Sequence, residues 1–162
     1  MAEFRPIRPD GFRSGLEATT ASFLNGAGVP FEYETRKVYY LVPRRRASYT
    51  PDFVLPNGII LETKGIFDAE DRQKHLLIKD QHPDLDIRFV FSRSASTLTK
   101  VMKIVDGQKI RRENPTTYAS WCQTHGFMFA DKVPPIDWLT APPNPKSIAA
   151  LAAAASKMDF DP

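Results

Sequence analysis

The sequence predicts a mixed α/β fold, with a central mixed β-sheet flanked by helices. Three observations carry that expectation. The elements run helix, strands, hairpin, helix, strand, an order that surrounds a sheet with helices. Two apolar strand runs bracket the turn triplet Pro56-Asn57-Gly58. Residues 87–91, with Phe89 and Val90 between Ile87 and Phe91, have the composition of a strand buried on both faces. The chain has 162 residues, one domain's worth and enough to bury a substantial core.

Each element has a local reason. Residues 1–11 read as a flexible arm, because Pro6, Pro9 and Gly11 break any regular structure. Ser14 opens a helix on which Leu16, Thr20, Phe23, Leu24 and Ala27 recur at helical spacing, and Gly26 and Gly28 close it. Residues 31–33 and 38–42 have strand composition, and Pro43 ends the second run. Asp68 caps a helix to about Gln81, with Leu76 and Leu77 inward and Arg72, Lys74 and Lys79 outward. Residues 101–113 suggest a hairpin turning at Asp106-Gly107. A short helix over 117–125 carries Tyr118 and Trp121, and 127–129 suggests a last strand. The domain body is expected over 12–140, and residues 141–162 read as a Pro/Ala-rich tail. An alanine-rich helix over 147–157 would be marginal in isolation.

Composition excludes several classes. The net charge is only +3, so any affinity for nucleic acid depends on where the charges sit. The single cysteine, Cys122, rules out an internal disulfide framework and a CxxC zinc pair, and a reducing, cytoplasmic setting is expected. No run reaches the roughly 18 apolar residues of a membrane span, so no membrane partner is expected.

The hairpin decides whether Asp52 and Glu62 can meet. A two-residue loop, Asn57-Gly58, would pair Asp52 with Thr63 and turn Glu62 to the other face. A three-residue loop pairs Leu55 with Ile59, Val54 with Ile60, Phe53 with Leu61 and Asp52 with Glu62. The second register suits the turn chemistry, with Pro at the first turn position and Gly in the left-handed one. Lys64, two residues on, then shares the face of Glu62. Carboxylates opposed across strands repel. Hard oxygen donors at this spacing suit Mg²⁺ or Mn²⁺, and a lysine beside the metal can orient water or stabilise a phosphorane-like transition state. The chemistry implied is metal-dependent phosphodiester hydrolysis. Glu17 is a further candidate, although Ser14-Gly-Leu-Glu17 also reads as a capping box.

Pro51-Asp52 followed by Glu62-Thr63-Lys64 resembles the PD…(D/E)xK nuclease superfamily. The flanking residues are more specific. Phe12-Arg-Ser-Gly-Leu-Glu17, Phe31-Glu-Tyr-Glu34, Tyr49-Thr-Pro-Asp-Phe53, Leu55-Pro-Asn-Gly-Ile59, Glu62-Thr-Lys-Gly65, Lys74-His-Leu-Leu-Ile78 and Phe129-Ala-Asp-Lys132 closely resemble the bacteriophage T7 endonuclease I family of Holliday junction resolvases. The resemblance implies a restriction-endonuclease-like core and a metal-dependent enzyme that nicks branched DNA, chiefly four-way junctions. It implies two Mg²⁺ (or Mn²⁺) ions per site and no small-molecule cofactor. Asp52 would bridge the ions, Glu62 and the Thr63 carbonyl would hold the first, Glu17 would help hold the second, and Lys64 would stand beside the attacking water. It also implies a domain-swapped homodimer, with a bridge at about 39–50 and Glu17 supplied across the dimer, working in the host cell's cytoplasm. A broader nuclease that degrades duplex DNA is the alternative, because the same site can cut any phosphodiester.

Two stretches depart from the family pattern. Residues 100–114 are longer than expected, and the tail is not lysine-rich. Arg44, Arg45 and Arg46 could meet phosphate near the dimer axis or form a solvated loop. Lys103, Lys109, Arg111 and Arg112 form a second basic cluster, read as a solvated surface. Arg13, Lys74 and His75 are further candidates for DNA contact.

Overall fold

The Ser14 hydroxyl accepts the Glu17 N–H at 3.1 Å and so starts helix α1 (Gly15–Gly26). The computed structural model describes residues 10–42 and 45–155. After α1 the chain forms β1 (Glu32–Tyr33), β2 (Val38–Val42), β3 (Arg45–Tyr49), β4 (Phe53–Val54), β5 (Ile59–Lys64), α2 (Ala69–Gln81) and β6 (Asp86–Phe91). It continues through β7 (Met102–Val105), β8 (Gln108–Arg111), α3 (Tyr118–His125), β9 (Met128–Asp131), α4 (Ile136–Leu139) and α5 (Pro145–Ala154).

The central sheet is mixed, as expected, with strand order β1-β4-β5-β6-β9. β1, β4 and β5 meet antiparallel, while β5, β6 and β9 run parallel. The β4–β5 register is the one the turn chemistry favoured: Phe53 faces Leu61 and Val54 faces Ile60. Gly58 takes the left-handed conformation, with φ at 88°. A side chain there would also collide with Ile148 of α5 at 2.9 Å, so the turn needs glycine twice over.

Both faces of the sheet are covered. Phe53, Leu61, Ile59 and Val90 pack with Ala21 and Leu24 of α1 and with Trp138. Ile60, Phe89 and Phe91 pack with Ile78 of α2, Trp121 of α3 and the β2–β3 hairpin. Strand alternation therefore gives β5 an α1 side (Ile59, Leu61, Thr63) and an α2 side (Ile60, Glu62, Lys64).

Helix α2 starts where expected, with the Asp68 carboxylate accepting the Asp71 N–H at 2.8 Å. Its inward residues differ from the expected pair. His75 and Ile78 are buried, whereas Leu76 and Leu77 are only partly so. The expected bridge segment folds back on itself in the single chain. β2 and β3 form an antiparallel hairpin, with Val38 facing Tyr49 and Val42 facing Arg45. It is tied to α2 by the Gln81 side chain, which bonds both the N–H and C=O of Leu41, and by His82 Nε2, 2.7 Å from the Tyr39 carbonyl.

The C-terminal region departs from the tail reading. Asn144 caps α5, and Leu151 and Ala154 enter the core. A helix too short to persist alone is stabilised here by that burial. It also clasps the β4–β5 hairpin. The Ser147 hydroxyl donates to the Gly58 carbonyl at 2.6 Å and accepts the Asp86 N–H at 3.0 Å. The Asn57 side chain donates to the Trp138 carbonyl at 2.9 Å. The arm up to residue 9, Arg44, and residues 156–162 lie outside the described residues.

Candidate active site

The carboxylates come together at the end of β5 that carries Lys64, in two groups joined through Thr63. The first group lies between α1, β1 and β4. One carboxylate oxygen each from Glu17, Glu34 and Asp52 lies within 4.8 Å of the others. Among the described residues this is the cluster able to share one cation, and its all-oxygen donor set fits a hard divalent ion.

Helix α1 gives Glu17 to this group rather than to its own cap. A full capping box would return the glutamate to the Ser14 N–H. Instead Glu17 Oε2 accepts the Arg13 N–H at 2.9 Å and the Tyr33 hydroxyl at 2.6 Å. Burial and Glu17 together raise the Tyr33 pKa, so its hydroxyl stays a donor.

Glu34 is the residue the sequence reading missed. It follows β1 with φ at 49°, in the left-handed region, and its N–H bonds the Asp52 carbonyl at 3.2 Å. Arg13 Nε meets both its carboxylate oxygens at 2.8 Å, which ties Arg13 into the site. The Phe31-Glu-Tyr-Glu34 string was visible, but nothing in it announces a left-handed glutamate.

Asp52 joins the two groups. β4 has only two residues, so Asp52 leaves the ladder just where it would face Glu62. Its Oδ2 accepts both the N–H of Thr63, at 2.9 Å, and the Thr63 hydroxyl, at 2.7 Å. The carboxylate keeps some solvent access but is largely surrounded by protein. Burial first, then repulsion from Glu62, push its pKa well above the usual range, against the pull of Lys64 and the Thr63 bonds. A bound cation removes that conflict.

The second group lies on the α2 side. Glu62 is 3% exposed. Its Oε2 accepts the Tyr49 hydroxyl at 2.5 Å, and its Oε1 is 3.3 Å from Lys64 Nζ. Burial tends to raise the Glu62 pKa, but the charge of Lys64, helped by Lys74, outweighs it and holds the carboxyl below its usual range. Burial likewise opposes the Lys64 charge, yet Glu62, Asp71 and Asp52 hold it above the ordinary lysine value. Asp71 supplies the second anchor, with Oδ1 3.0 Å from Nζ. The result is a fixed cation at the site's edge.

His75 has no exposed surface, so it is closed to DNA, contrary to the expected contact. Its ring lies edge-on to Tyr49 and Phe89, with Nε2 3.8 Å from Glu62 Oε1, too long for a hydrogen bond. Burial lowers its pKa. Lys74 is partly exposed, 3.5 Å from Asp71 and over the Tyr49 ring. Arg45 and Arg46 are exposed on β3.

The family described as phage endonuclease I matches residues 2–158. Endonuclease I of Escherichia phage T7 is 47% identical over 131 residues, which cover 81% of this chain and 80% of that protein. Endodeoxyribonuclease 1 of Enterobacteria phage T3 is also 47% identical over 131 residues, covering 81% of this chain and 78% of that protein.

Proposed function

This chain belongs to the phage endonuclease I family, and we propose that it resolves four-way (Holliday) junctions and other branched DNA by divalent-metal-dependent hydrolysis. The observation that carries this reading is the convergence of Glu17, Glu34 and Asp52 beside the Glu62–Lys64 pair. Binding DNA alone gives no reason to gather buried acids where phosphate must come.

On this reading Glu17, Asp52 and Glu34 would hold one Mg²⁺ or Mn²⁺, and Asp52, Glu62 and the Thr63 carbonyl a second. When bound, such cations supply Lewis acidity at the scissile phosphate and a water of lowered pKa. The protein's own groups do the rest. The N–H and hydroxyl of Thr63 fix the Asp52 carboxylate. Tyr49 fixes one oxygen of Glu62 and leaves the other toward Lys64. Lys64, anchored between Glu62 and Asp71, sets a positive charge where negative charge grows in the transition state.

A homodimer belongs to the same proposal. The β2–β3 hairpin connects the α1–β1 region to the catalytic hairpin. Opening it would let the same strand pairs form between chains, with Glu17 supplied by the partner. Two linked sites suit a substrate that needs two cuts. The work would be done in the cytoplasm of the phage's host; among the described residues no helix is long and apolar enough to cross a membrane.

The test is a four-way junction incubated with purified protein, with and without Mg²⁺. Paired nicks that require Mg²⁺ are expected, and an intact junction at enzyme excess would refute the reading. Glu62→Ala and Lys64→Ala should bind the junction without cutting it. Equal rates on linear duplex and junction would favour the broader nuclease. A monomeric mass at micromolar concentration in sedimentation would remove the dimer.

A further inference from the structure

The β7–β8 hairpin is a protruding ribbon that the site described above does not use. All eight strand residues are exposed. Ile104 is 71% exposed, Met102 48% and Ile110 44%. A solitary two-stranded ribbon is marginal in water, and large apolar side chains left on one call for a reason.

Its position is set by the catalytic sheet. β6 ends at Phe91, in register with Lys64, and the Ser92 N–H bonds the Lys64 carbonyl at 3.1 Å. The Asp131 carboxylate then fixes the N–H and hydroxyl of Ser94. Thr97 bridges Thr117, and the Leu98 N–H bonds the Thr116 carbonyl at 2.7 Å, which closes the ribbon's base. Four residues per strand then extend it by about 14 Å. Asp106 and Gly107, both at positive φ, make the tight turn at its tip.

Its chemistry is distinctive. Residues 100–113 hold five cations against two acids, a net charge as large as that of the whole chain. The register pairs Met102 with Arg111, Lys103 with Ile110 and Ile104 with Lys109. Directly opposed residues share a face, so both faces carry cations beside apolar groups. A ribbon made to lie on protein would keep its apolar residues on one face. A ribbon made for a groove meets phosphate walls on both sides and a floor of base edges and methyl groups. The major groove of B-DNA, about 12 Å wide, admits a two-stranded ribbon.

We propose that the β7–β8 ribbon is a DNA-docking arm, seated in the groove of a substrate duplex beside the cleavage site. The proposal rests on the DNA-cutting function above and adds the surface that holds the duplex. Phosphate contacts from Lys103, Lys109 and Arg111 position it, and Ile104 packs on the groove floor.

Binding to a fluorescent four-way junction, followed by anisotropy in EDTA from 50 to 300 mM salt, tests it. Lys103→Gln/Lys109→Gln/Arg111→Gln should weaken binding at least tenfold near 100 mM salt. It should also reduce the slope of log K against log salt by about 2–3. Ile104→Ser should weaken binding several-fold with the slope unchanged, which a diffuse charge effect would not do. Circular dichroism and melting confirm that both variants are folded. Folded variants with wild-type affinity and slope would overturn the ribbon proposal alone. So would variants that lose self-association in sedimentation while DNA affinity per chain is kept, since the ribbon would then join two copies. Wild-type protein that fails to bind DNA would overturn both the ribbon and the proposed function.

Discussion

Replacing Asp52 with asparagine should stabilise the metal-free protein while abolishing cleavage. Asparagine keeps an acceptor for the N–H and hydroxyl of Thr63 but loses the charge in both bonds. That loss is about 1 kcal/mol per bond, about 2 in all. Against it stands a carboxylate that burial and Glu62 both disfavour, an effect of several kcal/mol for a largely enclosed like-charged pair. Because the pKa is raised overall, the second effect wins, and we expect a net gain of about 1–2 kcal/mol at neutral pH. For a chain of this size that is about 2–8 °C in Tm. The pH dependence has a definite sign. The folded carboxyl holds its proton more tightly than the unfolded one, whose pKa is near 3.8. Stability from this group is therefore lost as pH rises above about 4. The advantage of Asp52→Asn should be small near pH 4 and grow toward neutrality. Magnesium should reverse it, raising the wild-type Tm and leaving the variant's unchanged. Calorimetry in EDTA and in Mg²⁺ measures all of this. A variant less stable than wild type in EDTA at pH 7.5, or a wild type indifferent to Mg²⁺, would refute the reasoning.

Other expectations follow from single contacts. Tyr49→Phe removes the donor that fixes Glu62 Oε2, about 1–2 kcal/mol, so single-turnover cleavage should slow roughly 5–30-fold; an unchanged rate would deny Tyr49 that role. Glu34→Gln should weaken Mg²⁺ binding in titration calorimetry, and unaltered affinity would remove Glu34 from the donor set. Ser147→Ala orphans the Gly58 carbonyl and the Asp86 N–H, and should lower stability by about 2–4 kcal/mol in urea titration; an unmoved midpoint would mean that the α5 clasp contributes little.

Much of the scaffold was legible because local chemistry specified it. Pro56 and Gly58 fix a three-residue turn, and that turn fixes the register of β5. Asp68 announces its helix by capping it. What stayed hidden depended on tertiary context. The buried side of α2 includes His75, a polar residue that hydrophobic patterning sends outward; it is inside because it backs Glu62 and meets the Tyr49 ring edge-on. Glu34 reaches the site through a left-handed backbone that glutamate does not signal. Helix α5 looked marginal because its stability comes from burying Leu151 and Ala154, not from propensity. Opposing Asp52 and Glu62 in register anticipated their neighbourhood but not that Asp52 leaves the ladder to take the bonds of Thr63.

The Tyr49–Glu62 bond makes the β2–β3 pairing self-checking. Tyr49 sits opposite Val38 at the root of that hairpin, with its hydroxyl on Glu62. A slip of one residue would turn every side chain of β3 to the opposite face and carry the hydroxyl away. A misaligned strand pair, whether made within one chain or between two, would thus lack a properly set Glu62. A copy paired in the wrong register would therefore cut more slowly than one paired correctly, so the strand pairing and the cleavage rate rise and fall together.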